Sequence, residues 1–320
     1  MKYSLFLLIL VFVVLGVIAL GTDALPIIGQ ANPLFFGVAA LFFVFSIVFW
    51  VIPWALLLKK KGRFGFLSAL VLGFSCVYGA LTPLQLGSEA LRAIKAKEHF
   101  GVNYSDSIAA AMIVKGMKFF FLALMACVVI AVILLQAQLS GVMFIGLLSG
   151  FVVIVLAALL FLLPLNKNIG LKIAGTFKFL SKFIRHFAVL ERYFTKYSNY
   201  LESTKRKTLF IVLLMSALSF ALEFLALLFC FFALNVFIDL LPLAVLFVII
   251  CILERTPFLP RGLGLVEAAG FIFLSLPEFS MISIAASQVG AILILFDVTR
   301  LIIPTIISLT LSFIKVKKTC

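Results

Sequence analysis

The chain has 320 residues, of which 65% are hydrophobic and only 12% are charged. Together with a mean hydropathy of +1.32, this composition excludes an ordinary soluble domain. Apolar runs of roughly twenty residues recur without alternation, which predicts membrane-spanning helices and disfavours a β-barrel. The net charge of +14 indicates membrane topology and contact with anionic headgroups, and we expect no nucleic-acid partner.

The apolar stretches predict helices along the whole length of the chain. The first is long for a cleaved signal peptide and lacks a small-residue cleavage pattern, so we interpret it as a transmembrane helix. In chain order the predicted stretches are Leu5–Leu20, Pro33–Leu58, 64–81, Ser107–Leu135, Gly141–Leu163, Leu209–Leu234, the interrupted 240–277 and Ile282–Phe313.

Three basic stretches predict the orientation of the chain: KKKGR at 59–63, the long segment 165–208 and the terminal KVKK. The positive-inside rule places all three in the cytoplasm. The simplest arrangement that balances the crossings has 64–106 entering from the cytoplasm and returning, and 240–277 doing the same from outside. We therefore predict an all-α polytopic bundle with about six full crossings and two re-entrant broken segments, in a cell membrane with both termini cytoplasmic.

The two broken segments resemble each other. One contains TPLQLGSEA at 82–90 and the other TPFLPRGLGLVEA at 256–268, so Thr-Pro, Leu-Gly and Glu-Ala recur in the same order. With opposite directions of entry, this pattern predicts an inverted repeat. The single membrane domain of residues 1–320 then consists of a first half at 1–164 and a second half at 209–320, joined by the basic segment.

The second break combines charge with irregular backbone. Pro257 and Pro260 remove two backbone donors, and nearby glycines permit conformations that other residues resist. In a membrane such backbone is tolerated where it is buried in protein or lines a wet cavity. A helix beginning near Gly264 would direct N–H groups into that cavity and, with an arginine, bind phosphate. The alternative is a solvated surface loop. The candidate substrate-binding residues here are Glu254, Arg255, Arg261, Gly262, Gly264 and Glu267.

Charges inside the other apolar helices have two interpretations each. Glu223 lies mid-helix, where an ionisable group usually faces the bundle interior. It is a candidate for proton coupling, or a protonated structural residue. Asp297 and Arg300 are three residues apart, so they share a helix face and can neutralise each other. This pair is either scaffold or part of the substrate site.

Two further groups of charges follow the first break. Glu89 and Arg92 are also three residues apart. They are candidates for substrate binding, or an ordinary solvated pair at a helix start. Lys115 and Lys118 lie in the first half of the next helix. We expect their side chains to reach the cytoplasmic interface rather than a ligand.

Residues 173–196 predict one amphipathic helix. Apolar residues follow helical spacing, whereas the lysines and arginines fall largely on the other side. Such a helix lies on the cytoplasmic leaflet, either as a surface clamp or as a binding site for anionic lipid.

The sequence offers little for metal or cofactor chemistry. Its five cysteines form no CxxC pair and lie mainly in apolar runs, as small buried hydrophobes do. The two histidines, His99 and His186, lie in separate basic stretches. We therefore expect no cofactor, no metal and no catalytic residue. The chain also lacks a phosphate-binding loop, so we do not expect ATP hydrolysis.

The two breaks also resemble the motifs of a known family. PFLPRGLGLVE at 257–267 is similar to the PxxPGGxGxxE signature of the lysylphosphatidylglycerol synthase transmembrane (flippase) domain family. TPLQLGSEALR at 82–92 resembles its first motif, and the likeness extends over essentially the whole chain. Two departures are that Arg261 replaces the first glycine of the usual pair, and that MIVKGMK at 112–118 lacks an expected acidic-basic pair. The matching residues are Pro83, Gly87, Arg92, Pro257, Pro260, Gly262, Gly264 and Glu267.

The resemblance implies a lipid transporter that flips a phospholipid or a polyprenyl-phosphate-linked lipid between leaflets. The 320 residues include no soluble aminoacyl-transferase domain, so lipid synthesis by this chain is not expected. Some family members are joined to glycosyltransferase domains, so a lipid-modifying or glycosyltransferase enzyme is an expected kind of partner. The alternatives are an intramembrane enzyme acting on a lipid phosphate, and a non-catalytic membrane partner of a lipid- or glycosyl-transferring enzyme.

The predicted topology can be tested with single cysteines at positions 84–90 and 258–264 in a cysteine-free background. Because the two breaks are predicted to enter from opposite faces, a membrane-impermeant maleimide should label the two sets from opposite sides. Labelling of both sets from the same side would contradict the inverted repeat.

Overall fold

A computed structural model describes residues 2–59, 64–82, 86–136, 148–152, 155–156, 158–159, 163, 167–182, 187–202, 204–255, 260–274 and 284–314. These residues form helices and no strand. Four of the helices are long and apolar enough to cross a membrane. The prediction of an all-α polytopic membrane bundle is therefore confirmed.

The described helices agree with the predicted apolar spans to within a few residues. The predicted helix at 141–163 lies mostly outside the described residues, and the number of crossings stays a prediction. Between helices, 3-10 turns lie at Val77–Leu81 and Pro260–Gly262, and a π turn lies at Val298–Ile302. In chain order the helices are α1 (Lys2–Gly21), α2 (Ala24–Ile28), α3 (Pro33–Lys59), α4 (Phe66–Phe74), α5 (Leu86–Phe100), α6 (Tyr104–Gln136), α7 (Lys167–Leu180), α8 (Phe187–Glu202), α9 (Arg206–Ala233), α10 (Leu240–Leu253), α11 (Leu265–Leu274), α12 (Ala286–Asp297) and α13 (Ile303–Ser312).

Helices α3 and α9 pack along each other in the bundle. The rings of Phe42 and Phe229 meet edge to face, with centroids 5.2 Å apart. The hydroxyl of Ser219 donates to the carbonyl oxygen of Ser46 at 2.7 Å. Small polar residues let helix backbones approach closely and form hydrogen bonds across a membrane interface. Both kinds of contact therefore stabilise the packing of α3 against α9.

The two breaks share a helix–3-10–helix form and meet inside the bundle. The first break begins at Phe74, where α4 ends, and not at Thr82-Pro83 as the sequence predicted. In the second half, α10 ends at Leu253 and α11 begins at Leu265. The 3-10 turns of the two breaks contact each other. Pro83 and Pro257 lie outside the described residues.

The first break depends on two glycines because its backbone folds tightly onto α5. A Cβ atom on Gly79 would lie 2.6 Å from the carbonyl carbon of Gly87. A Cβ atom on Gly87 would lie 2.6 Å from the carbonyl oxygen of Gly79. Only glycine permits this approach without displacing backbone. The start of α5 is therefore held directly against the turn.

A hydroxyl from the end of the chain completes the hydrogen bonding of the first break. Ser308 of α13 donates to the carbonyl oxygen of Phe74 at 2.9 Å and accepts the N–H of Tyr78 at 2.9 Å. Both backbone groups are freed where the helix stops, and membrane interiors do not satisfy such groups. One side chain of the second half thus stabilises the irregular backbone of the first.

The basic segment forms two helices, so the prediction of a single amphipathic helix over 173–196 is wrong. Helices α7 and α8 pack against each other, and the rings of Phe177 and Phe194 stack with centroids 5.3 Å apart. The helical spacing of apolar residues such as Phe177 and Phe194 therefore reflects the packing of α7 against α8. The hydroxyl of Tyr200 in α8 also donates to the carbonyl oxygen of Leu57 at 2.8 Å, which satisfies the end of α3.

Replacing Ser308 with alanine should lower the free energy of unfolding by about 1–3 kcal/mol, because two buried backbone groups lose their partner. Ser312→Ala is the matched control, since the Ser312 hydroxyl bonds only the carbonyl of Leu309 in its own helix. Unfolding in detergent measures both. Equal losses in the two variants would contradict a bridging role for Ser308.

Candidate functional site

Arg300 is the centre of a buried cluster of charges. Its Nε donates to Asp297 Oδ1 at 2.5 Å, its Nη1 to Glu254 Oε1 at 2.7 Å, and its Nη2 to Glu267 Oε1 at 3.0 Å. The Arg300 side chain is 0% exposed. Every nitrogen of one guanidinium is therefore engaged, and a single residue joins the ends of α10 and α12 to the start of α11. With Arg261, these residues are called the Arg300 cluster below.

Arg261 is bound to this cluster through a side chain and a backbone carbonyl. Its Nη2 lies 3.3 Å from Glu254 Oε1, and its Nη1 donates to the carbonyl oxygen of Arg300 at 2.7 Å. Pro304, four residues after Arg300, has no N–H to donate to that carbonyl. The π turn Val298–Ile302 lies at the same place. Pro304 thus leaves the carbonyl oxygen of Arg300 without its helical donor, and Arg261 donates to that oxygen instead.

The backbone of the second break has a positive φ at three positions, Arg261, Gly262 and Gly264, as a tight turn requires. Arg261 has a φ of 48°, a left-handed conformation that costs a non-glycine residue about 1–2 kcal/mol. This is the position at which the family signature carries glycine. Gly262 has a φ of 68°, and a Cβ there would lie 2.4 Å from the carbonyl oxygen of Leu253. Gly264, with a φ of 86°, then leads into α11.

Glu267 caps the helix in which it lies. It is the third residue of α11, and its carboxylate accepts the N–H of Gly264. This is the return contact of a capping box, which satisfies a backbone donor at a helix start. The sequence predicted that a phosphate would bind at this helix end. In the structure the Glu267 carboxylate accepts one of the N–H groups at this helix end, that of Gly264.

The two lysines of α6 form buried ion pairs. Lys118 Nζ lies 2.6 Å from Glu223 Oε1, and Lys115 Nζ lies 3.5 Å from Glu89 Oε1. Glu89 also accepts the hydroxyl of Ser88 at 2.8 Å and is only 3% exposed. The prediction that both lysines reach the cytoplasmic interface is wrong, because carboxylates on α5 and α9 hold them inside the bundle.

Arg92 is desolvated by aromatic rings and forms no ion pair with a described carboxylate. Its guanidinium carbon lies 4.0 Å from the ring centre of Trp50 and 5.6 Å from that of Trp54. Its Nε donates to the carbonyl oxygen of Gly73 at 3.2 Å. The solvated pair with Glu89 is therefore excluded: Arg92 is 1% exposed and is held by cation–π contacts.

Arg255 is a second arginine that pairs with no described carboxylate. Its guanidinium carbon lies 5.1 Å from the ring centre of Phe119, and its Nη1 donates to the carbonyl oxygen of Cys251. It follows directly after Glu254, whose carboxylate is held by Arg300 and Arg261. The neighbouring acid is thus already occupied by other cations.

A polar cavity lies where the two breaks meet. Turn residues of both breaks line it, including Val77 and Arg261. It leaves about 40 Å³ for the centres of water-sized molecules, which is enough for a few waters. Among the described residues of the lining, three of four cations are paired, so Arg255 is the surplus positive charge there. Its charged lining consists of the pairs Lys115–Glu89, Lys118–Glu223 and Arg261–Glu254, together with Arg255.

Most of the residues singled out in the sequence lie in or beside this cavity. Glu254 and Arg261 belong both to its lining and to the Arg300 cluster. Arg92 is not part of the lining; it lies behind Trp50, which is. Glu267 lies on the other side of the cluster. The three predicted phosphate-binding arginines therefore differ in their surroundings. Arg255 lines the cavity without a described acidic partner, Arg261 lines it paired with Glu254, and Arg92 lies behind the ring of Trp50.

Sequence reasoning missed the aromatic partners and one proline. The chain has only two tryptophans, and both contact Arg92. A buried arginine is stabilised either by an acid or by the face of an aromatic ring, so the two tryptophans could have been predicted as partners of Arg92. Pro304 was equally readable, because a proline four residues after Arg300 must leave the Arg300 carbonyl without its helical donor.

The helices and the site together define a polytopic all-α membrane protein with a buried ionic centre between two broken helices. The chain belongs to the lysylphosphatidylglycerol synthase TM region family, whose family model matches residues 4–308. The resemblance seen in the two motifs is thereby confirmed, and the protein is a member of a lipid-related membrane family. No curated protein and no solved structure matches the chain.

Arg300→Gln should lower the free energy of unfolding by about 3–5 kcal/mol, because it leaves buried carboxylates without their cation. The matched control is Arg206→Gln, at an exposed position in the first turn of α9. Adding Glu254→Gln to Arg300→Gln should recover part of the loss, since one uncompensated charge is removed. A loss below about 0.5 kcal/mol, typical of surface changes, would show that the cluster is not structural.

Proposed function

We propose that this protein moves an anionic lipid phosphate, carried by a phospholipid or a polyprenyl lipid, between the leaflets of a cell membrane. The observation that carries the proposal is the charge balance of the polar cavity. Three ion pairs neutralise each other there, and Arg255 remains as one surplus cation. A phosphodiester carries one negative charge, so a single headgroup would balance the site.

The surroundings of Arg255 suit the reversible binding of a phosphate. A guanidinium has five N–H donors in a planar fork, and the described contacts of Arg255 use one of them, on Cys251. The guanidinium carbon lies over the ring of Phe119, 5.1 Å from its centre, and the other N–H donors remain for a ligand. Arginine in such a setting binds phosphate by paired, charge-assisted hydrogen bonds.

The size of the cavity indicates that the described conformation is closed. Space for a few waters does not admit a phosphate group with its ester oxygens. A substrate therefore enters only after elements around the two breaks move apart. The breaks suit such a movement, because their irregular backbone already interrupts α4 and α10. The acyl or polyprenyl tails would stay in the lipid.

The proposed function is transport without covalent chemistry, so the protein is not expected to be an enzyme. We place both termini and the basic segment with α7 and α8 on the cytoplasmic side, where their lysines and arginines would contact anionic lipid. A lipid-modifying or glycosyltransferase enzyme would supply or consume the transported lipid.

Lipid exchange by the purified protein tests the proposal. Phosphatidylcholine vesicles containing a fluorescent phosphatidylglycerol or a labelled polyprenyl phosphate are treated with a membrane-impermeant quencher. The wild type should expose inner-leaflet label faster than empty vesicles do. Arg255→Gln should slow this exchange about ten- to a hundredfold, because it removes a charge-assisted bond to the phosphate.

The control for this test is Arg206→Gln, which removes the same charge at an exposed position and should exchange lipid like the wild type. Elution of each variant as a folded species in detergent is checked first. Exchange no faster than in empty vesicles, with every anionic lipid tried, would overturn the proposed function. Unchanged exchange in folded Arg255→Gln would overturn the role of Arg255.

A further inference from the structure

The Arg300 cluster forms a wall between two hollow spaces. On one side lies the polar cavity, which Glu254 and Arg261 line. On the other lies an apolar groove of about 450 Å³ between α1, α11 and α12, and Glu267 lines it. Arg300 bonds Glu254 and Glu267 at the same time. Its guanidinium therefore joins a side chain that lines the cavity to one that lines the groove, and opening of the cluster would connect the two spaces.

One carboxylate oxygen in this wall has no hydrogen-bond donor. Asp297 is 1% exposed, and its Oδ1 accepts the Nε of Arg300. Its Oδ2 is buried and has no partner among the described residues. The carboxyl group of Glu267 lies beside Asp297, because neighbouring nitrogens on one edge of the Arg300 guanidinium, Nε and Nη2, bond the two acids. A buried acceptor without a donor is costly, and here the neighbouring group is itself an acid.

Two ionised carboxylates in contact repel each other strongly where water is excluded. Carboxyl pairs at such distances hold one proton between them, because both cannot be charged at once. The arginines of the cluster do not cancel this repulsion, since Arg300 and Arg261 supply two positive charges to three carboxyl groups. A proton on the Asp297–Glu267 contact would supply the missing donor and cancel the repulsion together.

The other titratable groups near the contact do not replace this proton. Cys230 on α9 is buried near Asp297, and its thiol is only a weak hydrogen-bond donor. Arg255 lies beside Glu254 rather than Asp297, with its guanidinium carbon over the ring of Phe119. Arg261 pairs with Glu254 and with the Arg300 carbonyl. The described side chains that α1 and α2 pack against α12 carry no charge.

We infer that Asp297 and Glu267 together bind one proton, and that this proton keeps the wall between the groove and the polar cavity closed. When the proton leaves for water that enters the groove beside Glu267, two negative charges remain in contact. Their repulsion pushes α11 away from α12 and breaks the bond from Arg300 to Glu267. If the proposed function holds, on which this coupling rests, the opening admits the lipid headgroup from the groove.

Infrared spectroscopy of the purified protein tests the proton site without any transport. A protonated carboxyl gives a carbonyl band separate from that of carboxylates. The wild type should show this band at neutral pH, and Asp297→Asn and Glu267→Gln should each lose it. Asp239→Asn is the control, since Asp239 is exposed before α10, and it should keep the band.

The wild-type spectrum decides the matter even if one variant does not fold. Absence of the protonated band from the wild type at neutral pH overturns the proposal. A band that survives in both folded variants overturns it as well, because the proton then lies elsewhere. Loss of the band in either folded variant, with the band kept in Asp239→Asn, supports it.

A pH gradient across the vesicles tests the coupling to transport. One proton per lipid would shift the distribution of labelled phosphatidylglycerol between leaflets by up to about tenfold for each pH unit. Asp297→Asn should abolish this shift. A wild-type distribution that ignores the gradient while exchange proceeds overturns the coupling. Absence of exchange in every condition overturns the proposed function instead, and the infrared result for the proton site still stands.

Discussion

The three hydrogen bonds that Arg300 donates to Asp297, Glu254 and Glu267 determine how the second half of the protein is assembled. Moving one guanidinium and several carboxylates out of water is expensive, and replacing such a cluster with apolar residues often stabilises a protein. A buried ionic centre in an apolar chain is therefore poor evidence for stability and good evidence for function. This cost is the physical reason for proposing a functional role for the Arg300 cluster.

The broken helices impose a second constraint, which each half meets with groups from elsewhere. In the first break, Ser308 bonds the backbone of Phe74 and Tyr78. In the second, Arg261 donates to the carbonyl that Pro304 leaves free. Neither solution is available locally, because a helix that stops inside a membrane has no water to bond. The two halves thus stabilise each other through their irregular parts.

Two pairs with the same sequence spacing show how far prediction reaches. Asp297 and Arg300 form the ion pair that a three-residue separation predicts. Glu89 and Arg92 do not, because Lys115 holds the acid and Trp50 covers the guanidinium. Helical spacing decides which side chains can meet. The competition from other helices decides which do, and it is invisible in a single sequence.

The sequence by itself determined the all-α membrane class, the long apolar helices and the position of the second interruption to within a few residues, whereas the first begins at Phe74 rather than at the predicted Thr82. These depend on local properties: apolar length, the missing donor of proline and the freedom of glycine. Only the tertiary structure decided the partners, such as Lys118 with Glu223, and the division of the basic segment into two packed helices. The reason is that ion pairs and packing act over a few ångströms in space, between residues that the chain places far apart.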